Sequence, residues 1–320
     1  MTLTHFPNGV SSFGIPVVGG GGVPATFGTI FWVDSDVGSD GNRGLGPDDA
    51  LATVAAAYAK CTSNKHDVIV LSGAGAHTLT DELAVAKNRV HFVGLGGGSR
   101  YVGQRTRFEM GVTTGTAIAI VKVTGVGCTF TNIKFRSSDT LATSLYAVAD
   151  GGEFTQFTNC SFEKATDLDQ AGAAEFLCNC DTGYYKNCSF GNMIYQVSVA
   201  RGCVLVTRET IAGKVARDCI FEDCLFLNNT SATTSVHVKT TLAADVERFM
   251  IFKNCIFMTA KLSSATQTNA IHGAAALTQG EILCHDCSCQ NVTGLGVVVG
   301  LFTNSPTSAA DGTEGIQATA

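Results

Sequence analysis

The sequence predicts an all-β chain wound into a parallel β-helix, and three observations carry that prediction. First, a hexapeptide with the outline aromatic-x-Asn/Asp-Cys-x-Phe recurs six times, at residues 130–135, 157–162, 185–190, 221–226, 252–257 and 284–289. Its fourth position runs Ile133, Cys160, Cys188, Cys224, Cys255, Cys287, so successive copies lie 27 to 36 residues apart, the period of a solenoid. Second, each copy is short, aromatic and flanked by turn residues, which suits a strand rather than a helix. Third, of 320 residues 45% are apolar and only 15% charged, with 36 Gly and 5 Pro; an average soluble domain carries roughly 25% charged residues.

The same composition excludes other classes. There is too much apolar surface for a disordered chain. The glycines follow no triplet period, so the chain is not collagen-like. A formal net charge of −6 argues against a nucleic-acid partner that grips phosphates. No apolar run is long enough to cross a membrane as a helix. The 13 cysteines are odd in number and no secretory signal is visible, so free thiols in a reducing cytoplasm are expected.

Residues 1–30 read as an extended, Gly-rich apolar arm, with Gly19 to Gly22 in one run. Phe6, Phe13, Ile15, Val17 and Val18 are its candidate partner-binding residues. They would dock either on the chain's own body or on a partner subunit. A short strand then runs into DSDVGSDGN, where Asp34, Asp36 and Asp40 resemble part of a calcium loop. Gly38 occupies the fifth position and no Glu closes the loop, so these three remain candidate metal ligands beside plain turn chemistry.

Residues 48–61, DDALATVAAAYAKC, are the one predicted helix. Leu51, Val54, Ala55 and Tyr58 fall on one face, and Pro47 with two Asp residues suits its start. Strands follow at 67–73 and 89–99. The glycines of GLGGGS (94–99) lack nucleotide-loop spacing. No cofactor is expected.

In the hexapeptide, the third residue (Asn132, Asn159, Asn187, Asp223, Asn254, Asp286) is placed to bend the chain, because Asn and Asp enter the left-handed backbone region most readily. Beyond the bend, Cys160, Cys188, Cys224, Cys255 and Cys287 and the final Phe135, Phe162, Phe190, Phe226 and Phe257 lie two residues apart. Strand alternation therefore turns both inward. Stacked coils give ladders of Phe, Cys and Asn. CHDCSC also invites a zinc reading, but Cys284, Cys287 and Cys289 occupy core positions of the repeat.

At this point the sequence resembles the pectate-lyase-like β-helix superfamily, over about residues 30–300. The stretches FWVDSDVGSDGNRGLGPDDALATVAAAYAKC, DVIVLSGAGAHTLT and RVHFVGLGGGS look like the usual opening of that fold. The resemblance implies a right-handed helix whose first coil is capped by the helix at 48–61, one β-helix domain over 31–302, and a polar C-terminal tail over 303–320. Gly94 takes the place of the bending Asn. The superfamily's enzymes cleave polysaccharides with carboxylates and basic residues, yet Asp139, Asp150, Asp167, Asp169, Glu175 and Glu209 show no shared register. No catalytic residue is expected, and the chain is expected not to be an enzyme.

LTHFPNGVSSFGIPV (3–17) and VPATFGTIFWVDSDVGSDGNRGLGP (23–47) resemble tailed-bacteriophage proteins associated with the head. That resemblance implies a structural virion protein: a homotrimeric capsid decoration or cement protein that bridges capsomers, bound to the major capsid protein on the capsid surface and assembled in the host cytoplasm. The alternative it leaves open is a tailspike-like protein that binds or cleaves a surface glycan.

Overall fold

Each hexapeptide forms the end of one strand, a one-residue bend, and the start of the next strand. The computed structural model describes residues 28–72, 75–96, 106–110, 117–137, 143–164, 172–208, 210–260, 267–273 and 276–296, and the backbone of the short strands Val10–Ser12, Ile15–Val17, Leu301–Thr303 and Gln317–Ala318. The strands assemble into three long sheets of 11, 8 and 8 strands. Every pairing within them is parallel except that between Leu301–Thr303 and Gln317–Ala318. The chain visits the first sheet, bends into the second, crosses to the third and returns one coil further on. This is the all-β parallel solenoid that the repeat predicts.

The ladders form in register. The first aromatics pair Phe130 with Phe157, Tyr185, Phe221 and Phe252 in turn, ending on Cys284. The second set runs Phe135, Phe162, Phe190, Phe226, Phe257 and then Cys289. Rings stack face to face along each column, for example Phe130 on Phe157 at 4.6 Å and Phe226 on Phe257 at 4.7 Å. Between columns they meet edge to face, as Phe157 and Phe162 do at 5.5 Å. Such pairs add about 0.5–1.5 kcal/mol each beyond burial, so the core is cross-linked in two directions.

All six bend residues have the left-handed backbone. The φ angles are 59° at Asn132, 53° at Asn159 and Asn187, 55° at Asp223, and 52° at Asn254 and Asp286. The amides of Asn132, Asn159, Asn187, Asp223 and Asn254 each donate to the next coil: that of Asn159 to the carbonyl of Lys186 at 2.9 Å, and that of Asn254 to the carbonyl of His285 at 2.9 Å. The side chains also link coil to coil, Asn159 Nδ2 donating to Asn132 Oδ1 at 2.5 Å and Asn187 Nδ2 to Asn159 Oδ1 at 3.3 Å.

Gly94 does lie one coil before Asn132, but for a different reason than a bend. It is not among the positive-φ residues. A Cβ there would sit 2.3 Å from the carbonyl oxygen of Asn132, so close backbone approach requires the glycine.

The helix is shorter than predicted. Pro47–Asp49 form a separate 3-10 turn and the α-helix spans Val54–Lys60. Leu51 instead makes a parallel bridge with Val33, which holds its backbone extended. Asp40 accepts the amides of Ala52 and Thr53 and the Thr53 hydroxyl, and Thr53 caps the helix by accepting from the Ala56 amide. The inward face is Val54 and Ala57, with Ala55 exposed.

Two short strands are described within the predicted arm. Val10–Ser12 and Ile15–Val17 pair antiparallel as a two-stranded ribbon. Phe6, Phe13 and Val18 lie outside the described residues, and of Ile15 and Val17 only the backbone is described. Most of the tail beyond 303 also lies outside them, although Gln317–Ala318 returns to the edge of the first sheet.

Candidate interaction surface

Alternation along each strand decides what faces outward. On the first sheet, one outward column reads Gln156, Tyr184, Ile220, Ile251, Leu283. Its neighbour reads Lys186, Glu222, Lys253, His285. On the second sheet, Arg107, Lys134, Ser161, Ser189, Leu225, Ile256 form one column. Glu109, Arg136 and Glu163 lead into a second that continues with Gly191, Leu227 and Met258. The outer surface of the second sheet therefore changes character along the axis. Its early coils are charged and paired, Lys134 to Glu163 at 2.8 Å and Arg136 to Glu109 at 3.3 Å. Its later coils carry half-buried Ile and Leu where water would favour polar residues.

The third sheet's outer face is apolar as well, but the chain covers it itself. Ala119, Tyr146, Ala149, Leu177 and Leu205 form a buried cluster with Ile211. A Cβ on Gly151 would stand 2.6 Å from Ile211 Cδ1, so the segment around Ile211 lies directly on the sheet.

Beside the second sheet, the turn after Gly191 projects Ile194, 78% exposed, and Tyr195, 36% exposed. Asn192 Oδ1 accepts the amides of both residues, at 2.9 and 2.7 Å. Next to it lies an open hollow of about 380 Å³ lined by Met193, Met258, Thr259, Gln290 and Asn291.

The densest charged cluster among the described residues follows the corner between the third and first sheets. Arg217 joins two carboxylates, with Nη1 2.7 Å from Asp181 Oδ2 and Nε 2.7 Å from Glu247 Oε2. Arg248 reaches Asp218 at 2.5 Å. Glu247, on the same ledge, also faces Arg208. These partners lie about 30 residues apart in sequence, so the hexapeptide pattern did not reveal them. The corner has its own left-handed column at Arg89, Gly127, Phe154, Thr182, Asp218 and Arg248, with no one residue type running through it.

The six carboxylates that show no shared register in the sequence divide. Asp139, Asp167, Asp169 and Glu209 lie outside the described residues. Asp150 and Glu175 are instead buried in the body. Asp150 accepts from the Tyr185 hydroxyl at 2.8 Å and the Thr155 hydroxyl at 2.6 Å. Glu175 pairs with buried Arg201 at 2.5 Å. Burial pushes both carboxyls above their ordinary range, against those hydrogen bonds in one case and against Arg201 in the other.

Asp34 and Asp40, offered as metal ligands, are spent on backbone amides. Asp34 Oδ1 accepts from Asp36 at 2.9 Å and Val37 at 3.2 Å. Burial would raise its carboxyl, but the amides and the Ser72 hydroxyl outweigh that and hold it low. Asp40 starts the helix, and Asp36 stands against Gly75, where a Cβ would fall 2.5 Å from its Oδ1. Among the described residues no cluster of three or more His, Cys, Asp or Glu is arranged for a metal ion. All 13 cysteines are free thiols, 12 of them buried, with Cys289 half-buried. Among the histidines, His91 lies 3.0 Å from His66, on adjacent coils, and His285 2.9 Å from Asp286.

No protein-family model matches this sequence, and no curated protein matches it. Solved structures do. The pectate lyase Pel9A superposes with a TM-score of 0.58 at 12% identity, over 84% of this chain and 67% of that one. A pectin methylesterase solved with a hexasaccharide gives 0.53 at 12%, over 82% and 79%. ORF18 of Geobacillus virus E2 gives 0.49 at 11%, over 90% and 63%, a score at which likeness carries no argument. The first two establish a pectate-lyase-like fold. They also correct the expectation that the chain is no enzyme: the fold is shared mainly with polysaccharide-processing enzymes, so it gives no ground for setting such chemistry aside.

Proposed function

We propose that this chain is a structural component of a tailed-phage particle, a homotrimer that binds the major capsid protein on the head surface and bridges capsomers as a decoration or cement protein. The observation that carries the reading is the pair of outward apolar columns on the later coils, Tyr184–Ile220–Ile251–Leu283 and Leu225–Ile256. A contiguous apolar stripe on a solvent-facing sheet costs solubility unless a partner covers it. The resemblance of residues 3–17 and 23–47 to head-associated phage proteins supplies the kind of partner.

A second reading is favoured by a different observation. The ledge of Asp181, Arg217, Glu247, Asp218 and Arg248 places carboxylates and guanidiniums side by side on the outer wall. That array suits an extended glycan, on a fold shared with polysaccharide-processing enzymes. One experiment separates the two: add purified protein to heads that lack it, and separately to a panel of acidic polysaccharides. Saturable co-sedimentation with heads and a raised head melting temperature support the first reading. Release of new saccharide ends, lost on Arg217→Ala, supports the second and overturns the first if heads do not bind.

A further inference from the structure

We infer that Ile194 and Tyr195 of one copy seat in the hollow lined by Met193 and Met258 of the next copy, a knob-and-socket contact between chains. The inference rests on the self-assembling reading above and assigns its surface. The knob is large, apolar and turned to water, yet it is held as firmly as a core turn. Asn192 Oδ1 takes the amides of Ile194 and Tyr195. Asn192 Nδ2 donates to the Lys164 carbonyl at 3.3 Å. Asn229 Nδ2 donates to the Met193 carbonyl at 3.2 Å. The Tyr195 hydroxyl accepts from Arg136 Nη2 at 3.3 Å. A turn pinned at its base by two asparagines from neighbouring coils loses little further entropy on docking, which is the condition for an efficient contact.

The socket has the matching character. It is lined by Met193 and Met258, side chains that adapt to the shape placed on them. The rest of its lining is Thr259, Gln290 and Asn291, polar but uncharged. At about 380 Å³ it sits at the small end of the range, roughly 300–1,000 Å³, that holds compact ligands, and its lining holds no charged group to orient a small charged molecule. Such a ligand would also leave the knob in water. A second copy uses both features at once. Knob and socket are adjacent but separate features of one chain, so the knob of one copy in the socket of the next is a head-to-tail contact, and such contacts close into rings when the rotation allows. Leu225 and Ile256 extend the apolar surface on the same sheet.

The test uses the full-length chain. Sedimentation velocity of the wild type should show a trimer, and Ile194→Glu should give a monomer with unchanged far-ultraviolet circular dichroism. Val37→Glu, at a site 80% exposed on the first coil, should remain trimeric. Mixing an Ile194→Cys chain with a Met258→Cys chain under mild oxidation should yield a crosslinked pair absent from either variant alone, because 12 of the 13 native thiols are buried. A trimer that survives Ile194→Glu, or no crosslink in a trimeric mixture, overturns the knob while leaving self-assembly standing. A monomeric wild type overturns both.

Discussion

The thiol of Cys224 donates to the backbone carbonyl of Tyr185, 3.3 Å away in the preceding coil. The relationship repeats along the ladder: Cys160 to Phe130, Cys188 to Phe157, Cys255 to Phe221 and Cys287 to Phe252, all at 3.4 or 3.5 Å. Each thiol thus stitches the start of one coil's second strand to the aromatic of the coil before. Burial pushes the thiols of Cys188 and Cys224 well up, so the donor keeps its proton. Cysteine fits because it is small and apolar yet carries a weak donor.

Thiol chemistry should report this arrangement. Burial pushes the half-buried Cys289 up to about 12, and the remaining 12 are buried. In native protein at neutral pH, a chromogenic disulfide reagent should label at most Cys289, slowly, and all 13 after denaturation. Several fast-reacting native thiols would mean that the ladder is open to solvent.

The bends give a second prediction. Asn159 holds φ 53°, a conformation that Asn tolerates but that costs other residues with a Cβ roughly 1–2 kcal/mol. Asn159→Ala should lose about that much, plus the side-chain link to Asn132. Asn159→Gly should lose less, since glycine meets no such penalty. Urea unfolding of the two variants checks the order; Ala more stable than Gly would contradict a conformational origin.

A third prediction concerns acid. His237 is fully buried, and burial lowers it to about 4 from an ordinary 6.5. The unfolded chain therefore binds a proton that the folded chain refuses between those values, so this group's contribution is present above pH 6.5 and is lost as pH falls toward 4. Relative to His237→Phe, the wild type should lose about 2 kcal/mol between pH 7.5 and pH 5. The comparison between the two proteins matters, because the raised carboxyls of Asp150 and Glu175 act in the opposite direction. A difference that does not change with pH would show that His237 titrates normally.

What the sequence revealed followed from residue identity. The hexapeptide bends were legible because Asn132 through Asp286 share a side-chain type suited to positive φ. The second bend column was not, since Arg89, Gly127, Phe154, Thr182, Asp218 and Arg248 reach the same backbone region with five different residue types, held there by coil-to-coil hydrogen bonds such as Phe154 amide to Asp181 carbonyl at 2.8 Å. The ledge joining Asp181, Arg217 and Glu247 needs the coil spacing before its partners meet. Leu51 read as helical because its spacing fits a helix, and only its bridge to Val33 shows otherwise.

The arm gives a fourth prediction. Thr29 already belongs to the body, its amide donating to Asp67 at 2.7 Å. Removing residues 1–27 should therefore leave the melting temperature of the β-helix within a few degrees while abolishing binding to heads. Undiminished head binding would remove Phe6, Phe13, Ile15, Val17 and Val18 from the contact.

The central claim, that this β-helix is a building element of the phage head, is tested most directly by imaging purified particles that carry a tagged copy of the chain. The account predicts averaged density for a three-fold assembly of β-helices at fixed positions of the capsid lattice. Density confined to the tail, or particles that lack the chain altogether, would contradict it.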